Sequence, residues 1–351
     1  MHTGMVLCIQ DPSPLSRTKQ AWVKGRGFLF NRSNQLKREI MFTKKNKHTG
    51  FTLVRKRVPY LFILPWIIGY LVFTLGPLAF SLVMSFFDWP ITGDAEFVGI
   101  GNFAKMFTGD PQFYNSLLIT LKFALIFVPL NLFIALLLAL LITQPIKGME
   151  IFRTIFYLPA VVSGVAVSII WGWIFNSEYG VLNYLLSLLG MEGPRWLIDP
   201  KWAVVTIVIA SAWGVGTMML IFYTDIKGIP NELYEAASID GAGPIRQFIS
   251  VTIPSITPTI LFNVITSVIA ALQQLTLVLL LTGGGPLKST YFYGLFVYNN
   301  AFKHHELGYA SANAWFMFLI ILLLTLLIFK TSSTWVFYET EVKKGKKGGR
   351  K

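Results

Sequence analysis

Six long apolar stretches, roughly at 59–87, 115–142, 153–175, 203–225, 255–282 and 309–331, limit what this chain can fold into. Each reaches the ~20 apolar residues that a helix needs to cross a bilayer core. Only 13% of the residues are charged, against about 25% in an ordinary soluble domain. The expected fold class is therefore all-α, a polytopic membrane protein with six transmembrane helices. The first stretch, Pro59 to Phe87, is long enough to need tilt or an extension beyond the lipid. It starts too far into the chain, and runs too long, to be a secretory signal.

The formal charge of +13 is concentrated at the ends: residues 1–57 and 330–351 hold 20 of the 30 Lys and Arg. A basic chain can bind nucleic acid, but here the cations flank apolar spans, so membrane topology explains them and no nucleic-acid partner is expected. Six spans put both termini on one side, and cationic ends make that side cytoplasmic. The loops at 143–152 and 226–254 then fall inside, with Lys147, Lys227 and Arg246. The loops near 88–114, 176–202 and 283–308 fall outside, with Asp88, Asp94, Asp110, Glu178, Glu192, Asp199 and Glu306. The expected parts are a basic, poorly ordered tail at 1–57, a transmembrane domain at 58–340 and a basic tail at 341–351. The tails attract anionic lipid at about 1 kcal/mol per nearby charge. Met41 is an alternative start, because little before it has the composition of a folded segment.

Several chemistries lack their residues. One cysteine, Cys8, rules out a disulfide framework or thiolate metal site within the chain. His304 and His305 are adjacent and diverge on most backbones, so they read as loop residues. No cluster of Asp, His, Cys or Ser marks a membrane-face enzyme. Gly283 to Thr290 imitates a P-loop, but Leu287 stands where Gly must precede the lysine. The spans hold few of the ionisable groups that a proton- or sodium-coupled carrier uses; Lys122, near the outer end of span two, reads as snorkelling. Pro129, Pro159 and Trp213-Gly-Val-Gly216 interrupt helical patterns. In a membrane such breaks persist only beside a neighbour or a water-filled cavity; close helix packing explains most of the glycines.

One polar segment stands apart from the apolar runs: Ile229-Pro-Asn-Glu-Leu-Tyr-Glu-Ala-Ala-Ser-Ile-Asp-Gly-Ala-Gly243. Asn231 is a candidate N-cap, Glu232 and Glu235 suit the positive end of a helix dipole, and Gly241 and Gly243 suit a left-handed stop. The pattern predicts a cytoplasmic helix of two to three turns near 231–242. It reads equally as an interfacial loop helix or as a slim helix that docks in another protein's cleft. In the spans, Asn131, Asn263, Thr266, Ser267, Gln273, Gln274 and Thr276 are candidates to line a substrate path, since amides and hydroxyls suit sugar hydroxyls. The alternative for each is an interhelical hydrogen bond.

Glu235-Ala-Ala, Asp240-Gly241-Ala242, Phe248 and Ile253-Pro254 resemble the coupling motif of bacterial ABC importer permeases; Ile253 replaces the usual Leu. Phe152-Arg-Thr-Ile-Phe-Tyr-Leu-Pro159, Trp196-Leu-Ile-Asp-Pro200, Thr282-Gly-Gly-Gly-Pro286, Gly308-Tyr-Ala-Ser-Ala312 and Trp335-Val-Phe-Tyr-Glu339 are similar to the maltose- and glycerol-3-phosphate-type branch. The resemblance covers about 58–340. It implies a type I importer permease in the bacterial inner membrane, paired with a second homologous permease. It also implies two ABC ATPase subunits carrying ATP and Mg, and an extracytoplasmic solute-binding protein. Glu235 and Gly241 would then transmit coupling, with Ala236, Ala237, Asp240 and Ala242 shaping the contact. Gln273 stands where that branch has a Gln. Leu275, Thr276 and Leu279 replace the Phe-Asp and Tyr that often follow, so the family's substrate contacts do not transfer; the missing Asp would fit a different saccharide, an acidic one included, and neutral or acidic stays open. The alternative reading is a secondary carrier or channel for a small polar solute.

Overall fold

The computed structural model describes residues 51–337, with side chains from Tyr60 onward. Residues 1–50, the tail at 341–351, the alternative start at Met41 and the Tyr338-Glu339 end of the last motif lie outside the described residues. The chain divides into two units, Met1–Gly76 and Pro77–Lys351.

In the first unit, α1 (Phe51–Tyr70) runs into a π-helical turn at Leu71–Leu75. The helix thus begins inside the stretch expected as tail. Phe62 and Phe73 are each 80% exposed, and Trp66 is exposed beside them. Such a surface is a liability in water, whereas acyl chains are its natural solvent.

The second unit holds the core. In order it contains α2 (Gly76–Met84), β1 (Phe87–Asp88), β2 (Glu96–Phe97), α3 (Gly101–Ala104), α4 (Pro111–Thr143), α5 (Met149–Val161), α6 (Gly164–Ile174), α7 (Val181–Leu188), α8 (Pro200–Ala212) and α9 (Gly216–Gly228). These are followed by α10 (Asn231–Ile239), α11 (Pro244–Gln247), α12 (Ile253–Ser255), α13 (Thr257–Leu272), α14 (Thr276–Leu281), α15 (Tyr293–Phe302) and α16 (Leu307–Ser332). Residues 60–84, α4, Thr257–Leu281 and α16 are each long and apolar enough to span a membrane. Two bent pairs reach that length and apolarity only when each is taken together: α5 and α6, which meet at 103°, and α8 and α9, which meet at 49°.

α4 is the central post. Asp110 caps it, accepting from Gln112 N at 2.9 Å, and Pro111 opens its first turn, where a missing N–H costs nothing. It packs against α8, α9, α13 and α15. Ala135 and Ala139, fully buried, meet Met219 and Phe222 of α9 in one apolar cluster. Pro129 does not interrupt this helix as its sequence suggests: α4 runs unbroken past it. One lost backbone bond is tolerable where neighbouring helices hold the rod on several sides. Pro159 lies near the end of α5, and Ser163 restarts the chain by accepting from Ala166 N.

At the end expected to face outward, the β1–β2 hairpin pairs Phe87 with Phe97 and Asp88 with Glu96. Asn102 Nδ2 donates to Ser85 O and Phe87 O, and Leu307 N donates to Trp89 O. Lys105 forms an ion pair with Glu306 at 2.7 Å and lies over the ring of Tyr309, whose hydroxyl donates to Asp110. The hairpin is thereby fastened to the start of the last span. Gly308 permits that approach, since a Cβ there would run into Phe87 O. Gly308→Ala should therefore cost about 1–3 kcal/mol by overpacking. Thermal unfolding in detergent checks this against Gly228→Ala, whose added Cβ meets nothing.

Candidate functional site

Two features converge on the second unit: an exposed helix at one end and a polar cavity among the bent helix pairs.

The exposed helix is α10. Its first residue is Asn231, and Pro230 occupies the capping position with no side-chain bond. Asn231 is therefore not the cap its sequence suggests, because the fixed φ of proline already starts the helix one residue earlier. The stop is as expected at Gly241, whose φ is +77°, while Gly243 at −70° needs no special freedom. Ala242 N reaches back to Ala237 O at 2.9 Å, closing the Schellman turn. A helix of nine residues is marginal alone, so tertiary bonds must hold it. Tyr234 Oη and Thr252 Oγ1 lie 2.9 Å apart, and Gln247 Nε2 donates to Ser238 Oγ and Ala242 O. Glu235, Ala236, Asp240 and Gly241 are exposed, whereas Ala237 and Ala242 are half-buried. Neither carboxylate has an ion-pair partner among the described residues. Beside them, Ile239 is 86% exposed and Ile245 78%, and a shallow apolar depression runs past Pro244, Ile245 and Ile249. A bare acidic helix edged with isoleucine is a surface suited to a protein groove.

The cavity has a volume of about 610 Å³. Its walls come from α4, the α5–α6 break, the α8–α9 break and α13–α14. Pro159, Val162 and Gly164 from one break, and Trp213, Gly214 and Val215 from the other, all line it. Asn131, Asn263, Gln274 and Thr276 line it too, as do Thr266 and Ser267. Gln274 Nε2 donates to Ser211 Oγ at 3.2 Å. By contrast Asn131 Oδ1, Asn263 Nδ2 and Ser267 Oγ are buried with no protein hydrogen bond. Gln273 is exposed at the end of α13 and outside the lining, so the structure removes it from the candidates gathered at the cavity. The separation falls at the helix end: α13 stops at Leu272, and Gln273 and Gln274 lie in the short link before α14.

The family described as binding-protein-dependent transport system inner membrane component matches residues 131–336. The chain belongs to this family. It is 42% identical over 286 residues to the probable ABC transporter permease protein YesP of Bacillus subtilis, covering 80% of this chain and 92% of the relative. It is 34% identical over 289 residues to the multiple sugar-binding transport system permease protein MsmF of Streptococcus mutans, covering 82% and 96%. A bacterial ABC transporter involved in importing the acidic polysaccharide alginate has a chain of the same fold, at a TM-score of 0.72. That match has 23% identity and covers 82% of this chain and 99% of the other.

This permease subunit is thus a multi-pass membrane transport component and not an enzyme. Its cavity includes residues that sequence reasoning passed over. Ser211 and Thr217 line it from either side of the α8–α9 break; the only sequence signal was the Trp-Gly-Val-Gly break between them. Ile239, Ile245, Tyr234 and Gln247 at the exposed helix carry no signal beyond their neighbourhood. Lys122 is exposed on α4 and absent from the cavity.

Replacing a buried, unpartnered amide by an apolar group removes a desolvation penalty of about 1–3 kcal/mol. Asn263→Leu should therefore leave the permease as stable to heat as the parent or more so, while lowering uptake. Thermal unfolding and transport measured on the same preparation check this; an amide serving only to bond two helices would instead lose stability.

Proposed function

We propose that this chain forms, with a second homologous permease, the membrane path of an ABC importer for a sugar or oligosaccharide. An extracytoplasmic solute-binding protein delivers the substrate. Two ATPase subunits, carrying ATP and Mg, receive α10 in a surface groove, and their closure rocks the permease pair between inward and outward access. Both chain ends then face the cytoplasm. The carrying observation is the bare, glycine-stopped α10, set at the end of a bundle whose broken spans surround an amide- and hydroxyl-lined cavity. MsmF is named for multiple sugar-binding transport, which supports the substrate class. A secondary carrier would place a titratable group on its path; the lining residues include none, which favours an external energy source.

Glu235 and Gly241 carry the coupling. Arginine at 235 reverses the charge that α10 presents, and any side chain at 241 is strained at a φ of +77°. In proteoliposomes holding the complete importer, Glu235→Arg and Gly241→Asp should insert normally yet lower ATP-driven uptake at least tenfold, on the order of 1.4 kcal/mol or more of lost coupling. Unchanged uptake by both variants would overturn the assignment.

A further inference from the structure

The cavity wall contains no acidic and no basic residue. Its unpartnered atoms are an amide oxygen on Asn131, an amide nitrogen on Asn263 and a hydroxyl on Ser267. The three side chains are 8%, 1% and 3% exposed, so bulk water does not pay their hydrogen-bonding debt. Asn263 and Ser267 lie four residues apart on α13 and share a face, and α4, which carries Asn131, packs against α13. The set therefore offers an acceptor, a donor and a group that is both. Sugar hydroxyls, which also donate and accept, match all three in kind. A carboxylate or sulfonate only accepts. It would leave the Asn131 oxygen unpaired and meet no cation on this subunit's part of the wall, and burying a charge without a counter-charge is far costlier than burying a hydroxyl. Trp213 and Phe262 add apolar faces suited to the C–H surface of a pyranose.

Building on the import reading above, we propose that this subunit selects for charge: its cavity admits an uncharged sugar unit and discriminates against units bearing a carboxylate or sulfonate. The alginate importer shares the fold and, by its description, carries an acidic polysaccharide; a shared backbone leaves the charge of the wall free to differ.

The test is uptake by proteoliposomes holding the complete importer and its binding protein. The probes are neutral disaccharides and their uronic-acid counterparts, each compared as a matched pair. Wild type should move the neutral member at least tenfold faster. Thr217→Arg places a cation on the wall and should lower that ratio at least tenfold. The same binding protein serves both preparations, so a change in ratio reports the cavity. Equal or faster uptake of the acidic member by wild type would overturn the inference while leaving the import reading intact, and so would a ratio indifferent to Thr217→Arg. If that variant fails to assemble, Ser211→Lys on the same wall takes its place and should lower the ratio likewise. Uptake of neither class, with ATP hydrolysis still dependent on Glu235, would overturn the saccharide reading and this inference together.

Discussion

The constraint on which this structure depends is that a backbone in lipid must satisfy its own polar groups. A continuous helix does so automatically, and the chain uses one wherever it can, most fully in α4 with its 33 residues. A break exposes carbonyl and amide groups, and hydrocarbon cannot receive them. The two breaks, at Val162–Ser163 and at Trp213–Val215, both fall on the wall of one cavity. The cavity and the breaks thus require each other: irregular backbone survives because polar surroundings adjoin it, and those surroundings exist because the helices bend away. Gly216 shows the accompanying packing demand, since a Cβ there would press on Phe156 O and Tyr157 Cα of α5.

Polar residues in the spans fall into two kinds. Near the β1–β2 hairpin end Tyr293 N donates to Thr120 Oγ1 at 2.8 Å, Tyr293 Oη reaches Asn313 at 3.0 Å, and Asn313 Nδ2 donates to Tyr309 O. That network is closed on itself and fixes α4, α15 and α16 as one body. At the cavity the amides of Asn131 and Asn263 have no protein partner. The same residue type therefore does two jobs, and hydrogen-bond satisfaction, not identity, separates them.

That distinction also marks how far the sequence could be read. The six apolar runs were legible because lipid imposes a length on each. The exposed helix was legible because a polar, small-residue segment contrasts with everything around it, and Gly241 sits where a left-handed residue must. The breaks were half-legible: Pro159 and Trp213-Gly214 announce one, but Pro129 carries the same signal inside a straight helix, because only neighbours decide whether a lost bond bends the chain. The cavity set was least legible. Gln273 and Gln274 are adjacent and chemically identical, yet only Gln274 lines the cavity; which of the two turns inward depends on where α13 ends. Thr217 and Ser211 offer no signal beyond the break between them, since hydroxyls in spans usually bond their own helix, as Thr266 does to Phe262 O.

The placement of α10 gives the two features a mechanical connection. It lies in sequence between α9 and the α12–α13 segment, and both of these reach the cavity, α9 through Thr217 and α13 through Asn263 and Ser267. At ~1.5 Å per residue, Thr217 lies about 16 Å along α9 from its C-terminal end, and Asn263 about 9 Å along α13 from its start. The Tyr234–Thr252 contact and the Gln247 bonds tie α10 to the second of these arms, while Thr257 Oγ1 at the root of α13 accepts from Phe337 N after the last span. On the proposed import reading, a force applied at Glu235 or Gly241 would act on two helices that both line one cavity. Stiff helices and a short, well-bonded joint are what such transmission requires. On the same reading the small residues of α10 would meet the other requirement, close seating in a partner's groove, without adding side-chain freedom that would absorb the motion.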